Sequence, residues 1–252
     1  MKRVGFLALF AAIALAGVMS SSTPGHAQEA AGGCTPGTPD SGGYSVTYGM
    51  PPAIPDNAPG GISLCMNVTS IQVIRNLRVM VAIQHSWVGD LIVTLRHEET
   101  GTTVTLLDRP GIPASLNGCS GDDLIVLFDD GAPTAAEDEC ATTAPALFAV
   151  LRPNAPLAAF DGEAMSGRWW LSVSDVALSD TGVVQQWGIV SYLKGDASCN
   201  GVTDPIDAAL VLQFDAGLLG IVPCPFNADY DNNKMMNAID AALILQDAAG
   251  LI

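Results

Sequence analysis

Basic residues are scarce in this 252-residue chain: 10 Lys plus Arg stand against 26 Asp plus Glu, for a formal net charge of −16. A surface of that sign repels phosphate backbones and anionic bilayers, so neither nucleic acid nor membrane insertion is expected. Histidine is scarcer still, present only as His26, His85 and His97. No GxSxG elbow accompanies them. His85 precedes Ser86, but strand neighbours point to opposite faces and cannot act as base and nucleophile, so His85 reads as structural. No catalytic triad is legible, and no intrinsic enzymatic activity is expected. CxxC pairs and Cys/His clusters with zinc spacing are also missing.

The chain opens with Lys2-Arg3, an apolar run from Val4 to Met19 and a polar stretch ending Gly25-His-Ala27. This is the layout of a secretory signal peptide, 1–27, with cleavage expected after Ala27. The run is shorter than the roughly 20 residues that span a bilayer, and no later stretch qualifies. The product is expected outside the cell, secreted or associated with its surface. A short linker, 28–41, would precede a β domain at 42–194 and a small module at 195–252. Six cysteines form an even set in an exported chain, which favours disulfides. Six allow 15 pairings; proximity along the chain gives Cys34–Cys65, Cys119–Cys140 and Cys199–Cys224.

The C-terminal module holds one pattern twice. Asp196, Ser198, Asn200, Asp204 and Asp207 fall at positions 1, 3, 5, 9 and 12 of a loop. Asp229, Asp231, Asn233, Asn237 and Asp240 repeat them 33 residues on. Oxygen side chains at this spacing wrap a hard cation, with a backbone carbonyl from position 7, here Val202 and Met235. Two Ca2+ ions are therefore expected. Position 6 is Gly201 in the first loop but Lys234 in the second, where a positive φ would cost on the order of 1 kcal/mol, so the second site is expected to be weaker. Each loop runs into an apolar helix, and Gly217 and Gly250 read as its stop signals.

Between the ends the period is two. Leu77, Val79, Val81 and Ile83 alternate with their neighbours, as do Leu91, Val93 and Leu95, and Trp169, Leu171 and Val173. Short runs of this kind, separated by turns such as Glu99-Thr-Gly101 and Asp180-Thr-Gly182, give half-buried strands of an antiparallel sandwich or barrel. The stretch from Cys119 through Asp122-Asp123, Asp129-Asp130 and Glu137 to Cys140 reads as a solvated acidic insertion pinned by its cysteines. The four tryptophans raise a sugar-stacking surface, for which Trp170 alone is a candidate. Asn67-Val-Thr69 matches an N-glycosylation sequon.

Ile54-Pro-Asp56, His85-Ser-Trp87-Val-Gly89-Asp90-Leu91, Gly101-Thr-Thr-Val-Thr-Leu106, Phe160-Asp-Gly162, Gly167-Arg-Trp169-Trp-Leu171, Asp180-Thr-Gly182 and Trp187 follow one another in an order that resembles the P domain (P/Homo B module) of proprotein convertases and subtilisin-like proteases. The resemblance implies a jelly-roll-like β-sandwich that supports a separate catalytic domain. It also implies a third calcium site at one rim, from Asp90, Asp175 and Asp180, against which stands a turn-capping role for the same carboxylates. The duplicated loop–helix unit resembles a dockerin, an EF-hand-like all-α module that binds cohesin domains. In that family positions 10 and 11 carry polar contact residues; here they hold Pro205-Ile206 and Ala238-Ile239, so contact through Ile206 and Ile239 would be apolar. Three readings follow. One is a calcium-binding adaptor tethered to a cohesin-like domain or cell-surface scaffold. The second is an accessory component of a serine-protease or polysaccharide-degrading system whose catalytic site lies on another chain. The third is a carbohydrate-binding sandwich.

Overall fold

The structure is a computed structural model that describes residues 34–40, 43–71, 73–231, 233 and 235–252. The expected signal peptide, most of the linker's start and Lys234 lie outside the described residues. Two compact units emerge, Cys34–Tyr192 and Leu193–Ile252.

The first unit is a two-sheet β-sandwich. One sheet orders its strands β1 (Thr35–Pro36), β5 (Ala58–Val68), β11 (Gly167–Asp175), β7 (Leu91–His97) and β8 (Thr103–Asp108). The other runs β10 (Leu147–Leu151), β9 (Leu124–Phe128), β6 (Leu77–His85), β12 (Gly182–Ser191), β3 (Gly43–Thr47) and β2 (Thr38–Asp40), with β4 (Ala53–Ile54) beside β12. The period-two residues face inward: Val79, Val81, Ile83, Leu91, Val93, Leu95, Trp169, Leu171 and Val173 are all buried. Their mates on the same strands, such as Gln84, Arg96 and Arg168, face solvent. Burial of alternate apolar side chains is what pins the register, because a one-residue slip would turn the whole set outward.

Three details depart from the sequence reading. Residues 35–40, assigned to a linker, supply β1 and β2, and Cys34 is bonded to Cys65 in β5. The sandwich is not purely antiparallel, since β9 and β10 run parallel, as do β1 and β5. A parallel pair needs a long crossover, and residues 129–146 provide one. Within the supposed acidic insertion, Leu124, Val126 and Phe128 form a strand with full core burial. Its acidic residues cap structure instead: Asp130 accepts from the Leu157 and Ala158 amides at 2.8 Å, and Asp129 pairs with Arg78 at 2.6 Å.

The second unit carries two helices packed on each other, α1 (Pro205–Asp215) and α3 (Ala238–Ala248), with a single turn α2 (Pro225–Ala228) between them. Its core is Ala197, Ala208, Val211, Phe214, Val222, Ala228, Met236, Ala241 and Ile244. Both long helices end alike. Gly217 and Gly250 adopt φ of 74° and 67°, and Leu218 and Leu251 donate back to the carbonyls of Gln213 and Gln246. That is a Schellman close, which a residue with a side chain would enter at a cost. Sulfur bonds join Cys34–Cys65, Cys119–Cys140 and Cys199–Cys224, the pairs that proximity along the chain gives.

Candidate metal centre

The two loops share one hydrogen-bond scheme. Ser198 N donates to Asp207 Oδ1 at 2.8 Å, and Asp231 N to Asp240 Oδ1 at 3.2 Å. Asn200 N donates to Asp196 Oδ1 at 3.0 Å, and Asn233 N to Asp229 Oδ1 at 3.1 Å. Val202 and Met235 donate to the side chains of Asn200 and Asn233, both at 2.8 Å. In these bonds the repeat written in the sequence is a repeat in space.

Each loop closes onto its helix through a reciprocal cap. Asp204 Oδ1 accepts from the Ile206 amide at 2.7 Å while Asp207 Oδ2 accepts from Asp204 N at 2.8 Å. Asn237 and Asp240 do the same for α3, at 2.8 and 2.9 Å. Position 9, expected from sequence to be a cation ligand, serves here as the helix N-cap, and Pro205 follows Asp204 at the first helical position. The capping signature, Asp or Asn followed three residues later by an acid, was present in the sequence.

What converges is carboxylate. Asp229, Asp231 and Asp240 each offer an oxygen, and these lie within 4.8 Å of one another; among the described residues no other set of three or more His, Cys, Asp or Glu does so. Burial pushes Asp240 above the ordinary range and the nearby Asp231 charge adds to this, while backbone amides of Asn237, Asp231 and Tyr230 pull it down. Like charges this close disfavour joint ionisation, and a hard divalent cation is the group that relieves them. Loop 1 brings two buried carboxylates, Asp196 and Asp207, together with Ser198 and Asn200. Gly201, its turn residue, has φ of 84°. The donor set is all oxygen and suits Ca2+ rather than a soft metal.

The sandwich rim behaves otherwise. Asp175 is fully buried, its Oδ2 lying 3.2 Å from His85 Nε2 and its Oδ1 accepting from Ala177 N at 3.0 Å. Asp180 accepts from Ser86 Oγ at 2.8 Å. Asp90 sits in a buried 3-10 turn, and burial followed by the charges of Asp175 and Asp180 raises its pKa. Of the three, Asp175 caps a turn and Asp180 holds the Ser86 hydroxyl, and they do not form a set within 4.8 Å as the loop 2 carboxylates do.

Both described histidines are consumed structurally. His85 faces Trp87 O through Nδ1 at 2.9 Å and Asp175 through Nε2, which leaves no ring nitrogen for a nucleophile. His97 lies stacked on Trp169 with centroids 4.3 Å apart, bonded to Glu163 through Nδ1 at 2.7 Å and to Ser166 O through Nε2 at 3.2 Å. Burial alone would raise Glu163, but hydrogen bonds from Thr102, His97 and Thr100 outweigh it and hold the carboxyl below its usual range. Trp170 is half-buried and donates Nε1 to Glu98 at 2.7 Å, with Arg168 on the same glutamate.

Ile206 and Ile239, at position 11 of the two loops, are 61% and 60% exposed. Sequence reasoning missed Asn227, which is buried and donates to Asp196 O at 2.9 Å; a lone Asn in a Pro/Cys turn carries no signal of that role.

Residues 74–191 match the proprotein convertase P-domain family. Two solved structures of a serine protease from Aeromonas sobria match part of this chain at low similarity. The protease in complex with the chaperone ORF2 matches with a TM-score of 0.36 and 17% identity, over 58% of this chain and 25% of that one. The protease alone gives 0.35 and 16%, over 58% and 26%. The match thus spans about a quarter of those proteins. No curated protein matches. The dockerin resemblance of 195–252 finds no support in these comparisons, whereas the P-domain resemblance does. The P-domain match and three disulfides together point to an oxidising, extracellular setting.

Proposed function

We propose that this chain is an exported, non-catalytic accessory protein of a subtilisin-like protease system: its jelly-roll-like sandwich supports a catalytic domain carried on another polypeptide, and its C-terminal module binds calcium. The match of residues 74–191 to a module that accompanies protease domains carries the reading. The occupied ring nitrogens of His85 and His97 support a supporting role over a chemical one. In the module, Asp196, Ser198, Asn200 and Asp207 would hold one Ca2+, and Asp229, Asp231, Asn233 and Asp240 the other, with the Val202 and Met235 carbonyls completing each set. The ion supplies charge neutralisation, so its uptake and the ordering of the loops are coupled. The test is to add the purified mature chain to the catalytic domain of a subtilisin-like protease from the same secretome and follow that domain's unfolding temperature. A rise of several degrees is expected; an unchanged temperature for every such protease defeats the reading.

A second reading is favoured by the paired exposure of Ile206 and Ile239. The module is a dockerin-like tether whose two equivalent apolar spots engage a cohesin-like domain or surface scaffold. A pull-down from culture supernatant with calcium, then chelator, tests it. Capture that survives Ile206→Ser/Ile239→Ser removes the tether.

A further inference from the structure

The C-terminal unit leaves much apolar surface in water for its size. Of 15 exposed large apolar side chains among the described residues, nine lie in Leu193–Ile252, so the smaller unit carries most of this surface. Its two long helices are apolar on the outside as well as the inside. α1 buries Ala208, Val211 and Phe214, yet Ile206 and Leu212 are 61% and 45% exposed, with Ala209 and Gln213 exposed beside them. α3 repeats this 33 residues on: Ala241 and Ile244 are buried, Ile239 and Leu245 are 60% and 44% exposed, and Ala242 and Gln246 stand beside them. The duplication therefore extends to the outer faces. No charge falls in either row. Asp207 and Asp240 are buried under the loop amides, Asp247 is bonded to Tyr230, and Asp215, at the end of α1, falls about a third of a turn away. A helix apolar on every side belongs inside a core.

The chemistry of the rows selects what covers them. They lack the Lys and Arg by which a surface helix holds an anionic bilayer. A basic partner would be met by carboxylates, and the rows have none. They do suit a second copy of this chain. The one polar side chain at the centre of each row is Gln213 or Gln246, whose amide carries donor and acceptor together and so pairs with its own twin, where an Asp or a Lys would repel it. Ala209 and Ala242 leave gaps between larger neighbours into which an Ile or Leu of the other copy fits. An apolar, charge-free and self-complementary surface is the make-up of a twofold homodimer contact. We infer that this protein self-associates through the outer faces of α1 and α3, the Gln213 and Gln246 rows of one copy lying against those of another. The isoleucines are those of the tether reading, but the occupant is different. A net charge of −16 opposes the approach of two copies, and salt screens it over about 10 Å. The contact therefore tightens as salt is raised, the reverse of a contact with a basic partner.

Analytical ultracentrifugation of the full mature chain in calcium tests the inference. The mass rises from one chain to two over the micromolar range, and the midpoint falls to lower protein concentration as sodium chloride is added. Gln213→Glu/Gln246→Glu keeps side-chain size and sets like charge against like, so dimerisation weakens at least ~10-fold. Gln213→Lys/Gln246→Lys has the same effect, and an equimolar mixture of the two variants restores the dimer, which also shows that both fold. A chain that stays monomeric at hundreds of micromolar overturns the inference, whether or not it captures another protein. So does a dimer that the Glu variant leaves unchanged, because the contact then lies elsewhere, and so does loss in both variants without recovery in their mixture.

Discussion

In the sandwich, one cluster of 33 buried residues includes Trp169, Trp187, Phe128 and Phe160; in the C-terminal unit the cluster has nine members, four of them alanine. The first is large enough for apolar burial to hold the sheets together, at about 25 cal/mol per Å² of apolar surface removed from water. The second belongs to a size class where a core alone supplies little, and such units lean on disulfides, metals or caps. This one has a disulfide, two reciprocal caps and a carboxylate cage. Carboxylates divide along the same line. In the sandwich, Asp175, Asp180, Asp130 and Glu163 each meet donors of the fold. In loop 2 they also meet backbone amides, but three of them in addition lie within 4.8 Å of one another.

The contrast can be broken most forcefully from the sandwich side. Trp169→Ala removes a fully buried indole stacked on His97, and is expected to destabilise that unit by about 3–5 kcal/mol without moving the calcium midpoint of the module. Denaturant unfolding followed by tryptophan fluorescence, beside calorimetry, checks both halves. Asp240→Ala acts on the other side. It deletes the buried carboxylate shared by the cage and the α3 cap, and should abolish uptake at loop 2 and cost the ion-free helix about 1–2 kcal/mol, with sandwich unfolding unchanged.

Acid sharpens the comparison with a smaller effect. Glu163 is held below its ordinary value of 4.5, so its ionised form stabilises the sandwich above that pH. The contribution is lost as pH falls from 4.5 through the lower folded-state value. Glu163→Gln should flatten this acid limb in urea titrations, and an unchanged limb would show that other groups set it. The smallest effect expected is that of Arg168→Ala, whose exposed pairing with Glu98 at 2.7 Å should be worth about 0–1 kcal/mol, less at high salt.

Much of this was legible in the residues because the signals were periodic. Alternation at 77–83, 91–95 and 169–173 marks core strands, and a 33-residue repeat marks two equivalent loops. Leu124–Phe128 was not read as a strand because flanking acids drew attention from a five-residue apolar run, which periodicity alone cannot assign. Position 9 carries two readings in the sequence, because the same Asp or Asn suits a cation loop and a helix cap, and the bond to the amide two residues on shows the cap. Asn227 and the parallel pairs are long-range facts, set by which segments meet in space.

Under the calcium reading proposed above, ion uptake, beside apolar burial, orders part of the C-terminal unit. Circular dichroism of the full mature chain in calcium and then in excess chelator tests it most directly. The far-ultraviolet helical signal should fall on chelation and return with calcium, while the near-ultraviolet tryptophan bands of the sandwich stay fixed. A helical signal indifferent to chelator, with no heat of calcium binding, would contradict it.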